Sequence, residues 1–121
     1  MIDALVLTIN SKENTLIVSK ETLEALGHPE YVQLHIDEDK KTLLLASCTT
    51  EDRQALVVNT EHYMMYEITA RNLIRRIRRL TGWEDEAPHV AFGIHLPEHN
   101  AVVFSLEAML PAVLTHEKHP P

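Results

Sequence analysis

The feature that most constrains this chain is an internal repeat. The stretch "VSKETLEALGHPEYVQLHIDEDKKTLLL" lies over "ITARNLIRRIRRLTGWEDEAPHVAFGIHLPEHNAVVF". Each copy runs from a strand end into a capping hydroxyl, a helix, a glycine stop and a hairpin. Within the pair, His35-Ile36-Asp37-Glu38 lies over His95-Leu96-Pro97-Glu98. One such unit is too small to bury much apolar surface by itself. Two can cover each other's apolar faces, with the short helices closing the ends. The repeat therefore predicts a mainly β fold with short helices (α+β), a pseudo-barrel made by two tandem strand–helix–hairpin units.

Local signals fix the elements. Residues 4–9 and 15–18 read as strands joined by the turn 11–14, and Thr15–Val18 is rich in β-branched residues. Ser19 is placed to cap a helix whose apolar face is Leu23 and Leu26; Gly27 stops it and Pro29 prevents its continuation. Val32, Leu34 and Ile36 alternate with Gln33 and His35, the period of a half-buried strand, and 42–46 returns after a charged turn.

In the connector, 54–58 reads as a strand; in the second copy 63–68 reads as a strand, and Thr69 takes the capping place of Ser19. Leu73, Ile74, Ile77 and Leu80 form a helical apolar stripe, and Gly82 ends it. Val90, Phe92, Ile94 and Leu96 are expected to face inward, and 101–104 returns after the turn 97–100. His28 and Trp83 follow the two stop glycines and are expected to pack back on the last helical turn. The whole chain, 1–121, reads as one domain: a first unit over 1–46, a connector over 47–60, a second unit over 61–110 and a flexible tail over 111–121, which carries His116 and His119.

Composition bounds the class. With 121 residues, 45% of them hydrophobic and 24% charged, the chain reads as an ordinary globular domain. No apolar run approaches the ~20 residues of a membrane span, so no membrane partner is expected. The start, MIDALVLTIN, carries Asp3 and no positive region, and is not read as a signal peptide. The single Cys48 excludes an internal disulfide and suits a reducing cytoplasm, where the protein is expected to reside.

The first unit resembles the AbrB/MazE-type swapped-hairpin transcription factors. The residues that carry the likeness are Ser11-Lys12, Leu16 to Glu21, Ala25-Leu26-Gly27 and the hairpin Val32 to Leu45. The resemblance covers about residues 8–46 and implies two interleaved hairpin units, here held in one chain as in tandem members such as the MraZ type. It also implies DNA binding and transcriptional regulation, which some members exercise as antitoxins. This chain departs from the family string at two places. The turn glycine is replaced around Glu13-Asn14, and the usual proline is Ser19. Only Lys12 and Lys20 offer positive charge on the family's DNA-facing side, beside Glu13, Glu21 and Glu24.

Charge is distributed unevenly. The net charge is −7, and five of the eleven basic residues are Arg71, Arg75, Arg76, Arg78 and Arg79; without them the remainder carries −12. Guanidinium groups at this density suit phosphates. The same pattern describes a solvated face opposite Leu73, Ile77 and Leu80, partly matched by Glu84, Asp85 and Glu86, the usual role of a charge run, or a surface for an acidic protein or a second copy. The candidate binding residues are therefore those five arginines with Lys12 and Lys20.

Catalytic chemistry finds little footing. His95-Leu96-Pro97-Glu98-His99 spells the inverted zinc-protease string, which needs a helix to set both histidines on one face. Pro97 and the flanking strand pattern deny that helix, so no metal and no catalytic residue is expected. The only glycines are Gly27, Gly82 and Gly93, which leaves no phosphate-cradling loop and no nucleotide cofactor. The expected function is that of a non-enzymatic regulatory or binding protein of the AbrB type. The alternative is an interaction or assembly module that keeps the fold without DNA contact.

Overall fold

A computed structural model describes residues 5–49, 55–58 and 66–111. Nine strands and two helices follow in the order β1 (Val6–Asn10), β2 (Thr15–Val18), α1 (Lys20–Ala25), β3 (Tyr31–Asp37), β4 (Thr42–Cys48), β5 (Leu56–Val57), β6 (Tyr66–Thr69), α2 (Arg71–Thr81), β7 (His89–Leu96), β8 (Ala101–Ser105) and β9 (Leu110–Pro111). A 3₁₀ turn, Pro97–His99, joins β7 to β8. The expected strand over 63–68 is seen from Tyr66; Tyr63–Met65 lie outside the described residues, as do much of the connector and residues 112–121 of the expected tail. Pro111, assigned to that tail, is instead paired with His89 in the β7–β9 ladder.

The strands form one antiparallel path, β5-β3-β4-β8-β7-β1-β2-β6, with β9 beside β7. Its two ends, β5 and β6, approach each other, so the sheet is barrel-like and nearly closed. The pairings exchange when the two halves of the chain are swapped. β2 pairs with β6 and β4 with β8, while β1 crosses to β7 and β5 crosses to β3. The two hairpins share one register: Asp37↔Thr42 becomes Leu96↔Ala101 under a displacement of 59 residues. Lys41 and Asn100 end the two turns at equivalent places, and both are left-handed, at φ 53° and 49°. Even single bonds repeat. Leu106 N–H donates to Lys41 O, and its counterpart Ser47 N–H donates to Asn100 O.

That register corrects the alignment by one residue. His35 corresponds to Ile94, and Ile36 to His95. In a strand a one-residue shift turns a side chain to the opposite face. His35 is accordingly exposed, while His95 faces inward at the place of an isoleucine.

The core is drawn from both halves. Leu7, Ile9, Leu16, Val32, Leu43, Leu45, Val102 and Phe104 are sealed from solvent, with Ile68 nearly so. Leu23 and Leu26 of α1, and Ile74 and Ile77 of α2, join the same cluster. Burial of such side chains is worth about 1.5–3 kcal/mol each, and it is what holds α1, too short to stand alone. β7 departs from expectation. His89 and Ala91 point inward, while Phe92 and Ile94 are 51% and 68% exposed. At the middle inner position of β7 stands Gly93, because Phe104 opposite it already fills that space.

Candidate functional site

The arginines stand on α2, which follows directly from β6. The capping residue is Ala70, not Thr69, which remains in the strand; no side chain caps this helix. Instead the Ala70 N–H donates to Asn14 O at the end of the β1–β2 turn. The turn that carries Lys12 therefore abuts the start of α2. Lys20 starts α1 at the opposite end of the β2–β6 ladder, so the structure does not bring it to the arginine face. Its ammonium lies 3.9 Å from Glu24 of the same helix.

The five arginines separate into two groups. Arg78 serves the fold: it donates to Glu84 O at 2.8 Å, and its guanidinium carbon lies 5.1 Å from the centroid of the Trp83 ring. Arg76 reaches Glu38 on the β3–β4 turn at 3.3 Å. Arg71, Arg75 and Arg79 are exposed and form no ion pair among the described residues. Four-residue steps place them about 6 Å apart along the axis, on one slowly winding stripe. Arg79 also borders a cleft of about 440 Å³ with Glu38, Arg76 and Leu80. Arg71 is the first residue of the helix, and no acidic residue occupies that first turn. The positive end of the helix dipole disfavours a cation there, so Arg71 adds nothing to helix stability.

The acidic run after the helix does not neutralise the arginines as expected. Only the backbone oxygen of Glu84 meets one. Asp85 Oδ1 instead accepts from Trp83 Nε1 at 3.1 Å and from the Ala87 N–H at 2.9 Å.

This knot is a feature that sequence reasoning missed. Gly82 is left-handed at φ 71°, and the Trp83 N–H closes the helix on Arg78 O. The Trp83 ring packs back as expected and lies 4.1 Å from the His89 ring, centroid to centroid. His89 is nine-tenths buried, and its Nδ1 sits 2.9 Å from Ala87 O. A carbonyl only accepts, so Nδ1 is the donor in this bond. Trp83, Glu84, Asp85, His89, Glu107 and Lys41 border an open cleft of about 400 Å³. The one sequence signal was Trp-x-Asp directly after a stop glycine. His28, by contrast, is exposed in a left-handed conformation, and its backbone N–H closes α1 on Leu23 O.

His95 and His99 do not form a helical pair. His95, the penultimate residue of β7, has its Nε2 shut away from solvent with no partner among the described residues, while His99 is exposed on the 3₁₀ turn. Among the described residues no three His, Cys, Asp or Glu side chains converge as ligands, and no helix is long and apolar enough to cross a membrane. Cys48 is half-buried at the end of β4.

The chain matches no family model, no curated protein and no solved structure.

Proposed function

We propose that this chain is a non-enzymatic binding module whose barrel is the interleaved swapped-hairpin kind, and that it grips the DNA phosphate backbone through α2. The exchange of strand pairings between the halves supports the first part. The second is carried by the exposed stripe of Arg71, Arg75 and Arg79, none of which the fold itself uses. A cation at the positive end of a helix costs stability, and an anion arriving there offsets the cost. Lys12 stands on the adjoining turn and assists. Contacts of this kind position a protein on the duplex without reading bases.

Three neutralised phosphates give a salt slope of roughly −2.7. Filter binding of duplex DNA across a salt series measures it. The triple variant Arg71→Glu, Arg75→Glu, Arg79→Glu is expected to lose binding; unchanged affinity removes the helix from the account.

The Arg76–Glu38 pair favours a second reading, since this face already accepts a carboxylate from its own fold. An acidic protein segment would then replace the duplex. Tighter binding of polyglutamate than of DNA, lost in the same triple variant, selects that reading.

A further inference from the structure

We propose that the outer face of the sheet over β4, β8, β7 and β1 is a docking surface for a second copy of this chain, in an isologous pair. The proposal is independent of the arginine face and does not rest on it.

Comparison of the two halves shows that the fold does not require this surface to be apolar. At places equivalent under the displacement of 59 residues, the first half turns Gln33, His35 and Asp37 outward, and the second half turns Phe92, Ile94 and Leu96. Gln33 and His35 suit a wet surface, and their side chains meet at 2.9 Å. Phe92 and Ile94 stand 51% and 68% exposed. The apolar character continues across the strands. Val6 lies opposite Phe92, Val103 opposite Ile94, and Leu44 opposite Val103. Among the described residues no outward position of these four strands is Asp, Glu, Lys or Arg, in a chain of net charge −7.

Charge, shape and size name the occupant. A charged partner finds no counter-charge on these strands, and an anionic membrane is repelled by the chain's net charge. A second copy brings the same uncharged face, so the two meet without opposing like charges. The face also holds both sides of a fit. Ile94 projects from it, and beside it an open cleft of about 390 Å³ is lined by Leu44, Leu96 and Val103. The charges at the cleft's border, Asp37 and Lys40, are one of each sign. A knob and a hollow on one surface are what a two-fold axis uses, since each copy then fills the other. Four strands about 4.8 Å apart, along about 20 Å of β7, give an apolar centre of roughly 300 Å² on each copy. Patches of that extent are often functional. With the uncharged rim of Thr8, Thr42 and Ser105 the contact reaches the small end of specific interfaces, so association is expected at roughly tens of micromolar.

The test is sedimentation velocity on the full chain from about 1 to 300 µM, at low and at high salt. The mass is expected to rise from one chain towards two and to stop there. High salt is expected to cause no weakening, since no ion pair holds the contact. The double variant Phe92→Gln, Ile94→His installs the residues of the first half; it is expected to keep its urea midpoint and to stay monomeric throughout. Ile94→Thr, a milder change that keeps strand propensity, is expected to weaken association roughly tenfold. Arg75→Glu with Arg79→Glu is expected to leave it unchanged. The proposal is overturned by a chain that is monomeric at every concentration, by association that continues past two copies, or by a dimer that high salt or the arginine variant dissolves. A dimer indifferent to Ile94→Thr overturns it as well. A monomer that sediments with phosphatidylcholine vesicles, and no longer does so as the double variant, gives the face to lipid and equally overturns it.

Discussion

Phe104 and Gly93 face each other across the β7–β8 ladder, and the ring of one fills the space that a side chain on the other would need. A Cβ built on Gly93 would lie 2.8 Å from Phe104 Cε1 and 2.7 Å from Val102 Cγ1. The equivalent pair in the first half is Leu34 and Leu45. Each half thus fills the same place with a different division of volume: two medium side chains in one, none and a large one in the other.

Gly93→Ala is expected to destabilise the fold by about 1–3 kcal/mol, because Phe104 and Val102 are fully buried and have nowhere to move. Phe104→Leu should recover part of that loss, bringing the pair closer to the Leu34–Leu45 arrangement. Urea unfolding of the two single variants and the double variant measures the coupling, expected at about 1 kcal/mol or more. Strict additivity would mean that the two residues do not share this space.

The Gly93–Phe104 pair also marks where the sequence stops being readable. Strand alternation in Val32, Leu34 and Ile36, the cap at Ser19 and the stripe from Leu73 to Leu80 are local patterns, and each lies where expected. Phe92 and Ile94 were misplaced because apolar alternation on one strand does not say which face is inner. That depends on β8 and β1, far away in sequence. Thr69 failed as a cap for a related reason: its backbone is held in the ladder with Thr15. The cleft around Trp83 joins residues from α2, β7 and the segment after β8, so no single window contains it. The arginines were visible as a cluster. Their separation into Arg78 and Arg76, used by the fold, and the other three required knowing where Trp83 and Glu38 lie.

Ser19 ties three elements together. Its Oγ accepts from the Val6 N–H at 3.1 Å and the Thr22 N–H at 3.3 Å, and lies 2.8 Å from Thr22 Oγ1. Ser19→Ala removes the cap of α1 and a link to β1 at once. The expected cost is about 1–2 kcal/mol in chemical denaturation. Thr22→Val, which keeps the shape of that fully buried side chain but not its hydroxyl, should cost less, since the two backbone donors stay satisfied.

The two groups of arginines should part company in stability measurements made without any ligand. Arg78→Ala loses the bond to Glu84 O and uncovers Trp83, which predicts a loss of about 1–2 kcal/mol and a changed tryptophan emission. Arg75→Ala, exposed and outside any ion pair among the described residues, should stay within about 0.5 kcal/mol of the parent. Equal losses from both would contradict the division of labour on which the binding proposal depends.

Lys41 and Asn100 offer the sharpest test of the equivalence between the halves, because the same substitution should act on them with opposite sign. Both residues hold left-handed backbone at the end of a hairpin turn. A side chain with Cβ is strained there, and glycine is not. Lysine brings no compensating bond from its side chain to the turn. Lys41→Gly is therefore expected to stabilise the chain by about 0.5 kcal/mol, the relieved strain less the added freedom of the unfolded chain. Asparagine tolerates this conformation better, and the Asn100 Nδ2 also donates to Ser47 Oγ on β4. Asn100→Gly relieves less and gives up that bond, for an expected loss of about 0.5–1 kcal/mol. Urea midpoints for the two variants decide the matter. Movement in the same direction would show that the turns, though equivalent in backbone, are not held by the forces described.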